Sequence, residues 1–207
     1  RSTQVAPGIV ISHQEVSIAD GFDLAADPVI AIRAAAIAAQ AGLPIAPATL
    51  QSLFNSYQDG VGEMPNLWPR AARENLIALI GAGQPMVRIW EALDQEEILF
   101  HWLPEWRAVR SLPQRNVLHR HTVDRHMVET AVYAAALTRR VHRPDLLLFA
   151  ALFHDIGKVL TKTISPEGSV HFYGHEKAGE DMVRKIMSRL RYPNDLIDLK
   201  YPSRQHH

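Results

Sequence analysis

The stretch LLLFAALFHDIGK, residues 146–158, decides how this chain is read. Its eight consecutive apolar residues leave no polar face, which suits a helix enclosed by other helices rather than one lying on a surface. Pro144 opens that helix, because a proline in the first turn forfeits no hydrogen bond, and Gly157 stops it. The run therefore delivers His154 and Asp155 at a helix end, where the turning backbone can bring adjacent side chains to one side. An imidazole nitrogen and a carboxylate oxygen are donors that hold a borderline or hard divalent cation. Such a cation lowers the pKa of bound water and neutralises charge on phosphoryl oxygens, so the pair points to hydrolysis of a phosphate ester.

Upstream, Val123, Met127, Thr130, Tyr133, Ala134, Leu137 and Val141 recur at three- and four-residue spacing. They predict a helix starting at Thr122 with this stripe as its buried face and His126 lying on it. A histidine alone on an apolar face is usually a hydrogen-bonded core residue. His126 followed 28 residues later by an apolar helix ending in His-Asp is a stronger signal, since two helices then bring three metal-ligating groups together.

The same helical grammar runs through the first half. Asp27-Pro28 caps VIAIRAAAIAAQAG, which ends at Gly42, and PATLQSLFNSY, PRAARENLIALIGAG (from Pro69) and PMVRIWEALDQEEILFHWL (from Pro85) follow. The tryptophans at 68, 90, 102 and 106 read as packing residues, with a partner-binding patch as the alternative. Two hairpins interrupt the helices: GIVISHQEVSIADG turning at Ser12-His13-Gln14, and LTKTI with SVHFY turning at Ser165-Pro166-Glu167-Gly168. A helix after Gly174 carries Ala178, Met182, Val183, Ile186 and Leu190 as its stripe, and Pro193-Asn194-Asp195 begins a last short element. The expected fold is all-α, a helical bundle with small β-hairpin insertions, divided near Pro113 into a helical region, 1–112, and a catalytic domain, 113–207.

Composition narrows the chemistry. The chain has no cysteine, which removes disulfides, thiolate metal sites and cysteine nucleophiles. No apolar run reaches the 18 residues needed to cross a bilayer, and RSTQVAPG lacks the layout of a signal peptide, so a soluble, cytoplasmic protein with no membrane partner is expected. Net charge is zero, yet residues 1–104 hold 5 Lys/Arg against 11 Asp/Glu, and 105–207 hold 17 against 11. A basic second half suits a phosphate-bearing substrate or an acidic partner; two oppositely charged faces that simply sit together would read the same way.

His126 and Glu129, followed by LLLFAALFHDIGK, resemble the HD phosphohydrolase superfamily. More narrowly, LPEWRAVRSLPQRNVLHRHTVDRHMVETAVYAAALTRRVHRPDLLLFAALFHDIGK, residues 103–158, resembles the bifunctional PII-protein uridylyltransferase/uridylyl-removing enzymes, and the likeness extends back over roughly residues 1–158. The segment after HDIGK, to about residue 200, instead resembles the HD region of bacterial CCA-adding tRNA nucleotidyltransferases. The resemblance implies metal ligation by His126, His154 and Asp155, with Mg²⁺ or Mn²⁺ favoured and Fe or Zn possible. It implies catalytic roles for Asp155, for Lys158 at a non-bridging phosphate oxygen, and for His175 near the metal. A solvated lysine past a helix end and a histidine bonding backbone at a helix start are the alternatives for Lys158 and His175. The implied reaction is phosphodiester hydrolysis that removes UMP from uridylylated PII, the nitrogen-regulatory protein. Alternatives are action on nucleotide or tRNA phosphates, as the CCA-like segment suggests, and a non-catalytic helical module that binds RNA or a partner protein. The family also uses an aspartate on a later helix; Asp195 and Asp198 read as capping or exposed residues, so that ligand is expected beyond His207. Residues 1–104 carry no nucleotidyltransferase signature.

Overall fold

The computed structural model describes residues 2–110, 123–159, 161–164, 170–172 and 174–200. Among these the chain is a helical assembly with two small antiparallel sheets. The first sheet contains β1 (Thr3–Ala6), β2 (Ile9–Ser12) and β3 (Glu15–Ile18) in that order. The expected hairpin is β2–β3, paired from Ile9 with Ile18 to Ser12 with Glu15. Its turn, His13-Gln14, has φ of 51° and 65°, the doubly left-handed geometry whose twist matches that of the flanking strands. Strand β1 is an addition to the expected pair; a register shift between Gln4 and Ala6 breaks the alternation by which a strand is recognised. The sheet is anchored to the helices through Val16, which donates to the Pro44 carbonyl and accepts from the Ala46 amide, each at 2.9 Å.

The first helix starts later than expected, with Val29 rather than Asp27 as its N-cap and no side-chain cap bond; Asp27 lies two residues ahead, accepting the Val29 amide at 3.0 Å and pairing with Arg33 at 2.6 Å. Helix α1 (Ile30–Ala41) starts after it and ends at Gly42, whose φ of 66° lets the Gly42 and Leu43 amides return to the Ala39 and Ala38 carbonyls. Its buried alanines let α1 lie close against α3 (Arg70–Ile80), beyond α2 (Pro47–Gln58). The segment read as one helix from Pro85 to Leu103 is two: α4 (Gln84–Gln95) and α5 (Leu99–Trp102). Glu97, at φ 60°, makes the break. The stripe of α4 is Met86, Ile89, Trp90 and Leu93, and a continuing helix could not also bury the consecutive Ile98, Leu99 and Phe100. After α6 (Trp106–Val109), all four tryptophans prove to be core, none more than 2% exposed. Trp90 meets Trp106 edge to face at 5.2 Å, and Trp102 Nε1 donates to the Tyr57 hydroxyl at 3.1 Å. Burial pushes the Tyr57 phenol up to about 12.

The second half comprises α7 (Val123–Ala135), α8 (Pro144–Phe153), the hairpin β4 (Lys162–Ile164) with β5 (Val170–Phe172), α9 (His175–Arg189) and α10 (Asn194–Lys200). The expected helix start at Thr122, the boundary at Pro113 and the Ser165–Gly168 turn lie outside the described residues. The expected face of α7 needs correction. Val123, Met127 and Ala134 are buried, but with Val128 and Ala131, whereas Tyr133, Leu137 and Val141 are 77%, 43% and 41% exposed. The helix stops at Ala135, so Leu137 and Val141 follow a different path through a 3-10 turn at Thr138–Arg140.

One apolar core runs from Ile9 to Ile197. The helices before residue 110 grip the end of α9: Arg189 makes a bidentate pair with Glu105 at 2.8 and 2.9 Å, and Arg73 donates to the Arg191 carbonyl at 2.9 Å. Next to this clamp, Asp145 accepts from Arg143 at 2.7 Å and from the Tyr192 hydroxyl at 2.9 Å. Burial would raise the Asp145 carboxyl, but bonds from Arg143, Tyr192 and the Leu146 amide outweigh it and hold it below the usual range. A carboxyl lowered on folding contributes stability above its unfolded value, about 4, and loses that contribution as pH falls through the folded value. Asp145→Asn is therefore expected to cost about 1–3 kcal/mol at pH 7 and to flatten the fall in stability below pH 4. Urea unfolding of both proteins across pH 2–7 checks this; parallel pH profiles would refute it.

Candidate metal centre

Helix α8 ends with His154 as its C-terminal cap, and the chain turns there into a 3-10 turn, Ile156–Val159, closed by the Lys158 amide donating to the Asp155 carbonyl at 3.0 Å. The turn lays the His154 and Asp155 side chains together opposite His126 on α7. His154 Nε2 stands 3.3 Å from His126 Nε2 and 3.3 Å from Asp155 Oδ2, and His126 Nε2 stands 3.8 Å from the same oxygen. A cation about 2.1 Å from each donor would separate them by about 3.0 Å in octahedral and about 3.4 Å in tetrahedral geometry. Two edges of the triangle match the tetrahedral value and the third, at 3.8 Å, is longer than it, so a small approach of His126 to Asp155 would let the three hold one divalent ion; among the described residues this is the group of three His/Asp/Glu side chains close enough to do so.

The orientation of each donor has a cause. His154 Nδ1 lies 2.7 Å from the Ala151 carbonyl, an acceptor only; Nδ1 thus carries the proton and Nε2 keeps its lone pair for the centre. The same Nε2 faces Asp155, whose carboxylate favours the protonated imidazole and raises the His154 pKa against the opposing effect of burial, so a metal would have to displace that proton. Burial would raise the Asp155 carboxyl, yet bonds from His154 and Lys158 outweigh it and hold it far below the usual range. Asp155 is the buried member, at 8% exposure, while the His126 and His154 side chains remain 33% and 35% exposed. The carboxylate is thus shielded while one side of the group stays open to water.

His126 differs from its expected setting on the buried face of α7; it sits on the solvent edge, on the ridge that also carries Thr130 and Tyr133, and the Thr130 hydroxyl bonds its carbonyl at 2.8 Å. Lys158 is not a solvated lysine: its side chain is 15% exposed and Nζ donates to Asp155 Oδ2 at 2.8 Å. His175 begins α9 directly after Gly174, and its side chain lies outside the described residues. Asp195, in the first turn of α10, is exposed and does not join the cluster, and the Asp198 side chain is likewise outside the description. One residue escaped the sequence reading. Gly179, buried in α9, packs on Gly157, and a Cβ there would stand 3.3 Å from the Gly157 nitrogen and 3.5 Å from its Cα. The available signal was a glycine inside a helix, which is otherwise unfavourable and so implies close backbone approach.

Residues 123–207 match the family described as HD domain. The chain is 44% identical over 188 residues to the bifunctional uridylyltransferase/uridylyl-removing enzyme of Streptomyces coelicolor, covering 91% of this chain and 21% of that protein. It is 46% identical over 151 residues to the enzyme of the same description from Mycobacterium tuberculosis, covering 73% and 18%. A multifunctional CCA protein from Laribacter hongkongensis is 36% identical over 177 residues, covering 84% and 40%. The chain thus spans about a fifth of the length of the uridylyltransferase relatives it matches. The likenesses to the two enzyme types overlap over most of the chain rather than dividing it after HDIGK, since their alignments take in 91% and 84% of it. With His126 on α7 and His154 and Asp155 at the end of α8, the segment 123–207 is thus similar to the HD domain family.

Proposed function

We propose that His126, His154 and Asp155 bind one divalent metal, Mg²⁺ or Mn²⁺ before Fe or Zn, and that this centre hydrolyses the phosphodiester joining UMP to the uridylylated PII regulatory protein. The observation that carries the reading is the convergence of three ligand atoms within 4.8 Å of one another in a chain 44–46% identical to enzymes described as uridylyl-removing. When bound, the metal supplies a water of lowered pKa and positive charge for the phosphoryl oxygens. The chain's residues do the rest. Asp155 holds its negative charge through Lys158 and His154, so it needs no deprotonation before binding. His154 is oriented by the Ala151 carbonyl. Lys158, beside Asp155, places an ammonium where a non-bridging phosphate oxygen can share it. His175, at the start of the helix packed on the HDIGK turn, is assigned a supporting role beside the metal or at a second metal. Water oxygen bonds to phosphorus, the bond from phosphorus to the protein tyrosine oxygen breaks, and the tyrosine leaves with a proton as UMP is released. In this division of labour residues 1–112 buttress the HD domain of 113–207, by contacts such as Glu105 with Arg189.

A second reading, action on nucleotide or tRNA phosphates, is favoured by the 36% identity to the CCA protein. One experiment separates them: the chain with Mn²⁺ is offered uridylylated PII, a 2′,3′-cyclic nucleotide and tRNA. Release of UMP from PII alone is the expected result; hydrolysis of only the cyclic or tRNA phosphates would replace the first reading by the second.

A further inference from the structure

A cavity of about 240 Å³ opens between α4, α6 and α7, and His126, His154 and Asp155 take no part in lining it. Its apolar walls are Val87 and Trp90 of α4, Trp106 of α6, and Val128 and Val132 of α7. The size falls just under the roughly 300 Å³ at which sites for drug-sized ligands begin, so it suits a small molecule. Trp90, 2% exposed, has its Nε1 buried with no hydrogen-bond partner, and Oδ1 of Asp94, one helical turn further along the same wall, is likewise buried and unmet. Buried polar atoms are nearly always bonded, so two unmet ones in the wall of one cavity mark a place where polar contents complete the structure.

The sign of the charge narrows those contents. Glu91 and Asp94 on α4 and Asp124 and Glu129 on α7 all line the cavity, with Arg125. Arg125 pairs with Glu129 at 3.1 Å and Arg110 with Asp94 at 3.2 Å, whereas Glu91 forms no ion pair among the described residues. Burial raises the Asp94 carboxyl above its usual range; Arg110 opposes this, and the like charges of Asp124, Glu91 and Glu97 add to it. An anion would meet repulsion here, and a neutral hydrocarbon would leave the carboxylates uncompensated across an apolar wall, where charges act strongly. A bare divalent metal does not fit either, because among the described residues three ligand atoms come within 4.8 Å of one another only at His126, His154 and Asp155. What remains is a cation whose charge is carried on an apolar body, the kind that indole rings attract.

We propose that this cavity binds a small organic ammonium ion, its apolar body between Trp90, Trp106 and the valines and its charge toward Glu91 and Asp94. The site is separate from the metal centre and stands whether or not that centre is a phosphodiesterase.

The test uses three compounds of one shape and different charge, benzylamine (protonated at pH 7), benzyl alcohol and benzoate, each titrated into the chain without Mn²⁺. Calorimetry and tryptophan fluorescence both report, since Trp90 and Trp106 are in the walls. Benzylamine is expected to bind with a Kd of about 1 mM or tighter, benzyl alcohol about tenfold more weakly, and benzoate not at all. Salt should weaken the amine and leave the alcohol unchanged. Glu91 is exposed, so Glu91→Gln leaves the core intact; it should weaken benzylamine about threefold, the scale of one solvent-facing charge. Val132→Phe, from a half-buried position in the wall, fills the space and should abolish binding of both. Equal affinities for the amine and the alcohol, tighter binding of benzoate, or no response to any of the three would each overturn the proposal. So would benzylamine bound at parental affinity by Glu91→Gln, which decides the matter alone if Val132→Phe does not fold, or by a folded Val132→Phe protein, which would place the binding elsewhere.

Discussion

Replacing Asp155 by Asn is expected to lower UMP release from uridylylated PII by about 10³-fold or more, the scale on which metal-ion catalysis contributes. Asparagine keeps the shape of the side chain and removes its charge. Oδ2 of Asp155 is the atom that His126, His154 and Lys158 all approach, at 3.8, 3.3 and 2.8 Å, so no other group replaces it. The metal would lose its anionic ligand, and the little-exposed Lys158 ammonium would face a neutral amide. His154→Ala should act similarly, since it removes a ligand that the Ala151 carbonyl has already oriented. Two measurements separate loss of the site from loss of the fold. Far-UV circular dichroism should be unchanged. Mn²⁺ at a hundred times its dissociation constant should stabilise the parent by about 2.7 kcal/mol and the variant hardly at all. An Asp155→Asn protein that binds Mn²⁺ with parental stoichiometry and still releases UMP would refute the assigned ligand.

How much of this was legible beforehand follows from the range of each signal. His154 and Asp155 were readable because their placement is local: an apolar helix, a stop, and two donors at its end. The packing of the tryptophans was readable from their spacing with other apolar residues. The surroundings of His126 were not. Its spacing with Met127, Thr130 and Tyr133 suggested a buried face, but the side on which α8 packs is fixed by residues far away in sequence, and the packed side proved to be that of Met127, Ala131 and Ala134. The break at Glu97 was hidden for a related reason: a continuous helical pattern cannot show that the next apolar run, Ile98 to Phe100, is buried by a change of direction. The exposed edge of α7 is consistent with chemistry, since a metal-holding group sealed in a core could not meet a substrate.

Gly179 shows what positions the centre from behind, and Gly179→Val is the second large effect expected. Helix α9 lies backbone to backbone on the turn that carries Asp155 and Lys158, and Ile156 between them is fully buried, so the turn cannot retreat into open space. Alanine is the ambiguous case. Its Cβ at 3.3 Å from the Gly157 nitrogen is tight, but replacing a helical glycine returns about 1 kcal/mol of propensity, and the two nearly cancel. Valine adds two methyl groups against backbone, which must shift α9 or the turn. The expected cost is about 3 kcal/mol in stability and about 10²-fold in kcat, as displacement of a catalytic group by up to 1 Å produces. A positioning role is told from simple destabilisation at a temperature where the variant is fully folded: kcat and Mn²⁺ affinity should both be reduced there, while far-UV circular dichroism should match the parent. A folded Gly179→Val protein with parental Mn²⁺ affinity and kcat would mean that the turn keeps its shape without the close approach of α9, and that His126 and the end of α8 fix the site by themselves.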